Sequence, residues 1–279
     1  MPATRPLGMA LLISFGRIAA VVLVLYLGAL AWLWFRQEKL LFAPDVLPAD
    51  YQLAKAADIH EVSIPVPGAT LSALHLRLPN PKGVVFFLHG NGGSLESWFV
   101  NPDYYRRANY DLFMVDYRGY GKSTGHIESE DQLRADVRAV WATVAPQYAG
   151  KKVVVYGRSL GSGLAAGLSA ELANGGTPDL TVLVSPYSSM AAVAAEHYSW
   201  VPQLVLRYPL RTDQLVARIR NPLLLIHGEK DPLIAPSHSE RLKALVPKAT
   251  LLHIAGAAHN DLQEFDDYLG AYARALASL

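Results

Sequence analysis

The sequence predicts an α/β fold, a mostly parallel, doubly wound sheet of about eight strands with helices on both faces. Three observations predict it. Short continuous apolar runs such as "GVVFFLH" and "PLLLIHG" recur along the chain, as expected of strands buried on both faces. Amphipathic helical patterns separate these runs. The stretch "VYGRSLGSG" (155–163) carries an apolar run through glycine and serine into small and apolar residues, a strand–turn–helix pattern.

The strands follow in order. "HEVSIPV" (60–66) and "TLSALHLRL" (70–78) flank "PVPGAT", a hairpin-like turn, and the second alternates in polarity. Six further strands are "GVVFFLH" (83–89), "DLFMVD" (111–116), "KVVVYG" (152–157), "LTVLVS" (180–185), "PLLLIHG" (222–228) and "ATLLHIAG" (249–256). Between them, "DQLRADVRAVWATVAPQY" places Leu133, Val137, Val140, Trp141 and Val144 on one helical face. "LGSGLAAGLSAELA", "PSHSERLKALV" and "NDLQEFDDYLGAYARALASL" read as three more helices. The stretch 186–221 has no strand pattern and is loosely helical. An insertion of that length at a strand's carboxyl end reads as a small helical lid, with Tyr187, Tyr198, Trp200 and Tyr208 as its candidate substrate contacts.

The chain has 279 residues, 51% of them hydrophobic and 18% charged, which suits one large domain with a sizeable core. Its formal net charge of +1 gives no sign of a nucleic-acid partner. The absence of cysteine removes disulfides, thiolate metal sites and cysteine nucleophiles together. No metal-ligand spacing is present.

The N-terminus stands apart. Ile18 to Phe35 carries no charge and as a helix would span about 27 Å, close to the hydrocarbon thickness of a bilayer. Trp32 and Trp34 lie at its C-terminal edge, where interfacial aromatics belong. Residues 1–35 are therefore expected to form one transmembrane anchor, 36–57 a juxtamembrane linker broken by Pro44 and Pro48, and 58–279 the catalytic domain. Arg5, Arg17 and the free amine precede the apolar run, and Arg36 and Lys39 follow it. That slight bias favours a cytosolic N-terminus and a catalytic domain on the non-cytosolic side, periplasmic in a bacterium. A competing reading takes "ALA" at 29–31 as a signal-peptidase site and the protein as secreted.

Ser159 sits where a nucleophile elbow requires it, between Gly157 and Gly161 and at the start of a helix whose positive end favours an anion. A serine alone is too weakly acidic to attack a carbonyl, so a base and an orienting acid must lie at other strand ends. His259, in "AAHND" after the last strand, supplies the base, and Asp231, in "LLLIHGEKDP", the acid. Each also has an ordinary reading, as a surface-loop histidine and as a turn-forming Asp before Pro232. Together with Ser159 they give the chain order Ser, Asp, His, each just past a strand. Glu229 on the same loop is the rival acid, and His227 and His253 at strand ends read as structural. Two preorganised N–H donors are needed for an oxyanion. The backbone of Leu160 is one, and the backbone of Asn91, in the glycine-rich "HGNGG" turn, the other, with His89 bracing that turn. "YGKST" fails as a phosphate loop, because Asp116 stands where the first glycine must be.

"LHGNGG", "DYRGYGKSTG", "YGRSLGSG", "IHGEKDPLI" and "GAAHND" occur in the order and spacing of the α/β-hydrolase superfamily. Over residues 36–279 the chain resembles its single-pass, membrane-anchored, bud-emergence-suppressor-like group with a serine-aminopeptidase-like domain. The resemblance implies the α/β-hydrolase fold, Ser159, Asp231 and His259 as triad, and Asn91 and Leu160 as oxyanion donors. Activities in the superfamily include esterases, thioesterases, lipases and peptidases, so the fold does not choose among them. The expectation is a membrane-anchored serine hydrolase that needs no cofactor and acts on a small-molecule or lipid-like acyl substrate. A serine peptidase or amidase, and a non-catalytic tethered scaffold, are the alternatives.

Overall fold

The computed structural model describes residues 7–279, with side chains from residue 11. One eight-stranded sheet organises the domain. Its strands are β1 (Ile59–Val66), β2 (Ala69–Leu76), β3 (Gly83–Leu88), β4 (Tyr110–Val115), β5 (Lys152–Arg158), β6 (Leu180–Val184), β7 (Leu223–Gly228) and β8 (Thr250–Ile254). They lie in the order β1-β2-β4-β3-β5-β6-β7-β8. β1 and β2 form the expected antiparallel hairpin, with Gly68 at φ 77 in the turn, where an L side chain would be strained. β2 also pairs antiparallel with β4, and every later pairing is parallel.

The central strands alternate between two buried faces, which explains their unbroken apolar runs. Val84, Phe86 and Leu88 join one core cluster, with helices α3 (Glu130–Val144), α4 (Leu160–Leu172) and α6 (Ser237–Leu245). Val85 and Phe87 join the other, beneath α2 (Pro102–Ala108) and α7 (Asp266–Ala277). α3 starts where Ser129 accepts a hydrogen bond from the Gln132 N–H and acidic Glu130 and Asp131 occupy the first turn. The apolar stripe read from sequence, Leu133 to Val144, is its buried face.

α1 runs from Leu7 to Leu41 without a break. The linker expected from residue 36 is thus helical as far as Leu41, because no proline or glycine stands between Gly28 and Pro44. Beyond it, Ala43–Pro44 pairs in parallel with Gly92–Gly93 of the "HGNGG" turn.

The stretch 186–221 holds one helix of two turns, α5 (Met190–His197), and single-turn pieces, with no strand. Two of its aromatics correct the expectation of an exposed lid. Tyr187 is fully buried, donating its hydroxyl to the Leu160 carbonyl under α4. Tyr208 is buried against Phe42, and its hydroxyl donates to Glu38 at the end of α1. Each hydroxyl finds a protein acceptor that lets the ring enter the core, although Tyr208 also forms part of the wall of a cavity shared with α1. Tyr198 and Trp200 are exposed as expected, and they face α1.

Candidate active site

β5 ends at Arg158, and α4 begins at Leu160, leaving Ser159 alone on the turn. Its backbone adopts φ 51, ψ −121, outside the conformations favoured by L residues. A Cβ on Gly157 would lie 2.3 Å from the Gly161 carbonyl oxygen, and one on Gly161 would lie 2.0 Å from that of Leu88. Both glycines are therefore required by backbone approaching backbone. The Ser159 hydroxyl caps no helix N–H. It lies 2.9 Å from Nε2 of His259 instead.

His259 Nδ1 lies 2.6 Å from Oδ2 of Asp231, so the three sequence-predicted side chains form one continuous chain of contacts. The sheet explains this convergence. β7 and β8 are parallel neighbours, and their carboxyl-end loops pack so closely that a Cβ on Gly228 would lie 2.5 Å from the Ala257 carbonyl oxygen. Asp231 is buried, whereas the rival Glu229 is exposed. Asp231 Oδ1 accepts from the Leu233 and Ile234 N–H groups, each at 2.9 Å. His227 approaches Oδ2 at 3.3 Å, with its other ring nitrogen held by Ser239. Burial opposes the charge of Asp231, but hydrogen bonds from His227, His259 and Ile234 outweigh it and hold the carboxyl well below the usual range. His227 thus supports the acid from beneath, in keeping with a structural role at a strand end.

Leu160 follows Ser159 directly, and the "HGNGG" turn that carries Asn91 approaches the elbow, since a Cβ on Gly90 would lie 3.6 Å from Ser159 Cβ. Among the described residues, neither the Leu160 nor the Asn91 N–H donates to a loop carbonyl or to a side chain. Leu160 is the first residue of α4, where helix N–H groups are free. Asn91 is gripped through its other groups: Tyr120 donates to its carbonyl at 2.7 Å, and the Ala43 N–H donates to Oδ1 at 3.2 Å. His89, fully buried, holds the same turn through Nδ1 to the Gly90 carbonyl at 2.8 Å, and its Nε2 faces Asp116 at 3.4 Å. Burial pushes the Asp116 carboxyl above its ordinary range.

Sequence reasoning missed three supports. Arg158 donates to the His259 carbonyl at 2.9 Å and to Gln263, fixing the base loop. Trp98 lies under Arg158, its ring centroid 5.5 Å from the guanidinium, and its ring would meet a Cβ on Gly90 at 2.7 Å. Tyr120 orients Asn91 from the "DYRGYGKS" loop. Arg158 was legible in principle, since it precedes the nucleophile. The other two depend on loop packing. A cavity of about 460 Å³ opens beside Gly92, Gly93, Trp98 and Arg158 and reaches Tyr104 and Tyr272.

Such an arrangement can move a proton from a serine hydroxyl to a neutral imidazole while a carboxylate holds the imidazole. The Leu160 amide, next to the serine at the start of α4, can receive a developing oxyanion.

The chain matches the family described as "Serine aminopeptidase, S33" over residues 79–214, and that described as "alpha/beta hydrolase fold" over 186–266. An uncharacterized protein of Mycobacterium tuberculosis is 29% identical over 263 residues, 89% of either chain. Alpha/beta hydrolase domain-containing protein 17B of Homo sapiens is 30% identical over 203 residues, 68% of this chain and 65% of that one. An esterase of Pyrococcus furiosus superposes with a TM-score of 0.66 at 19% identity, over 85% of this chain and 98% of that one, a likeness of fold. With these matches and this strand order, the chain belongs to the α/β-hydrolase superfamily.

Proposed function

We propose that the protein is a membrane-anchored serine hydrolase, a carboxylesterase or thioesterase acting through an acyl-enzyme. The observation that carries this reading is the placement of His259 between Ser159 Oγ at 2.9 Å and Asp231 Oδ2 at 2.6 Å. His259 Nε2 takes the Ser159 proton as Oγ attacks the carbonyl carbon. The tetrahedral oxyanion sits against the Leu160 and Asn91 N–H groups. The imidazolium then protonates the leaving oxygen or sulfur, and Asp231 stabilises the cation. Water, deprotonated by the same imidazole, releases the acid and restores Ser159.

An acyl substrate suits the neighbouring cavity, whose volume lies within the range of small-molecule sites. Phe87, Leu112, Met114, Tyr104, Tyr156 and Tyr272 supply its apolar and aromatic walls. No carboxylate is among its lining residues, so the free ammonium of an aminopeptidase substrate would have no anionic partner there. That favours esters over free peptides.

The anchor reading rests on α1. The most apolar 18-residue window within residues 11–41 has a mean hydropathy of 2.4, and none of that window is buried against the domain. We place its N-terminus in the cytosol and the catalytic domain on the opposite side.

A fluorophosphonate probe should label the full chain, and Ser159→Ala should abolish labelling. In the same preparation, short and medium acyl esters and thioesters should be cleaved in preference to peptide amides, and alkaline carbonate should leave the chain with the membranes. Persistent labelling of Ser159→Ala would remove Ser159 as nucleophile, and a preference for peptide amides would remove the acyl-substrate reading.

A further inference from the structure

We infer that residues 198–206 form a second membrane contact, immersed beside α1 among the acyl chains of the leaflet on the catalytic-domain side. The inference rests on the reading of α1 as a membrane span.

Two clamps align this segment with α1. At the polar end, Gln37 is buried, donates to the Val205 carbonyl at 2.7 Å and accepts from the Arg207 N–H at 2.8 Å. Arg207 also pairs with Glu38 and lies 5.8 Å from the Trp34 ring centroid. At the other end, the Tyr26 hydroxyl donates to the Trp200 carbonyl at 3.0 Å, and the two rings meet edge to face. Residues 200 to 207 therefore run parallel to α1. Tyr26 and Gln37 are about 16 Å apart along the helix axis.

Magnitudes decide where the bilayer lies. One arrangement keeps Trp200 in water by leaving α1 outside the membrane from Tyr26 onward. The part of α1 from Leu11 to Leu25 is then only about 22 Å long, against a hydrocarbon core of about 30 Å. Adding the preceding turn lengthens it but centres Arg17 in the core, at a cost of about 2.5–3.5 kcal/mol or more. The other arrangement spans Ile18 to Phe35 and leaves Arg17, Arg36, Glu38 and Arg207 at the two surfaces. Trp200 then lies about 14 Å deeper than Phe35, near mid-bilayer.

The segment suits that depth. From Tyr198 to Leu206 it carries no charged residue. Leu204 is 85% exposed, Tyr198 59% and Trp200 49%, an apolar display with no protein cover. Backbone groups need internal partners in lipid. The segment meets this in part: the Trp200 carbonyl has Tyr26, the Val205 carbonyl has Gln37, and the N–H groups of Tyr198, Val201, Val205 and Leu206 donate to carbonyls within the stretch 194–203. Between α1 and the segment lies a cavity of about 400 Å³, with Trp32, Leu40, Val193, Val201 and Leu206 among its walls. Lipid acyl chains are the occupant that such a surface fits.

The chain has no cysteine, so single-cysteine spin labelling of the full chain needs no background changes. Trp200→Cys, Leu25→Cys in α1 and His126→Cys on the domain surface are labelled in phosphatidylcholine–phosphatidylglycerol bilayers. Collisions with oxygen and with a water-soluble nickel chelate are then compared by power saturation. The expected result is that the residue-200 label, level with Tyr26, behaves as the Leu25 label does, accessible to oxygen and shielded from nickel, while the His126 label shows the reverse. A nickel-accessible residue-200 label beside a shielded Leu25 label overturns this inference and leaves the anchor standing. Nickel access at both positions overturns the anchor as well.

Discussion

Asp231→Asn separates a carboxylate that sets the state of His259 from one that merely fills space. In the native site Oδ1 accepts two backbone N–H groups, from Leu233 and Ile234, both at 2.9 Å. An asparagine must keep its carbonyl oxygen there, because the opposite flip would set its NH₂ against two donors. Its NH₂ then replaces Oδ2 and donates toward His259 Nδ1, 2.6 Å away in the native geometry. The imidazole must answer with a lone pair at Nδ1, so its proton moves to Nε2, facing Ser159 Oγ. A protonated Nε2 cannot accept the serine proton. The expected loss in kcat is about 10⁴, equivalent to about 5.5 kcal/mol of transition-state stabilisation. The fold should survive, with a loss of about 1.5–3 kcal/mol from replacing charged by neutral hydrogen bonding. Turnover of p-nitrophenyl butyrate, read beside a urea melt, checks both figures. A folded variant that loses less than about tenfold in kcat would refute the tautomer argument.

The other predictions follow from geometry away from the proton chain. Ser159→Gly should eliminate turnover yet raise stability by about 1 kcal/mol, because glycine accepts φ 51 without strain; a lower denaturation midpoint would contradict the strained-elbow account. Gly161→Ala places a methyl 2.0 Å from the Leu88 carbonyl oxygen and should cost about 1–3 kcal/mol together with activity; a neutral urea melt would show that the turn can yield. Burial, with Arg77 and His60 nearby, lowers the His75 imidazole from its usual 6.5 to about 4. The unfolded chain therefore takes up the proton first, so stability should fall by about 3 kcal/mol as pH drops from about 6.5 to about 4. His75→Phe should flatten that slope, since Tyr148 keeps its 2.6 Å bond to Asp111, and an unchanged slope between these pH values would assign the acid sensitivity to other groups.

The sequence by itself determined the strands, most of the helices and the three residues that meet at the candidate site. It could do so because these signals are local. A strand buried on both faces must be apolar throughout, as Val84 to Leu88 is, and an elbow needs small residues at Gly157 and Gly161 whatever surrounds it. The order Ser159, Asp231, His259 was legible because parallel strands deliver their carboxyl-end loops to one edge of the sheet. Burial within 186–221 was not legible. Tyr187 and Tyr198 look alike as letters, yet one hydroxyl reaches the Leu160 carbonyl beneath α4, while the other side chain stays exposed. The difference is set by acceptors far away in the chain. The grip of Tyr120 on Asn91, the Arg158 bond to the His259 carbonyl and the Gln37 clamp on Val205 likewise join residues 29, 101 and 168 positions apart. Only tertiary structure decided these, because a hydrogen bond across such a separation depends on where the fold brings two groups and leaves no period in the sequence.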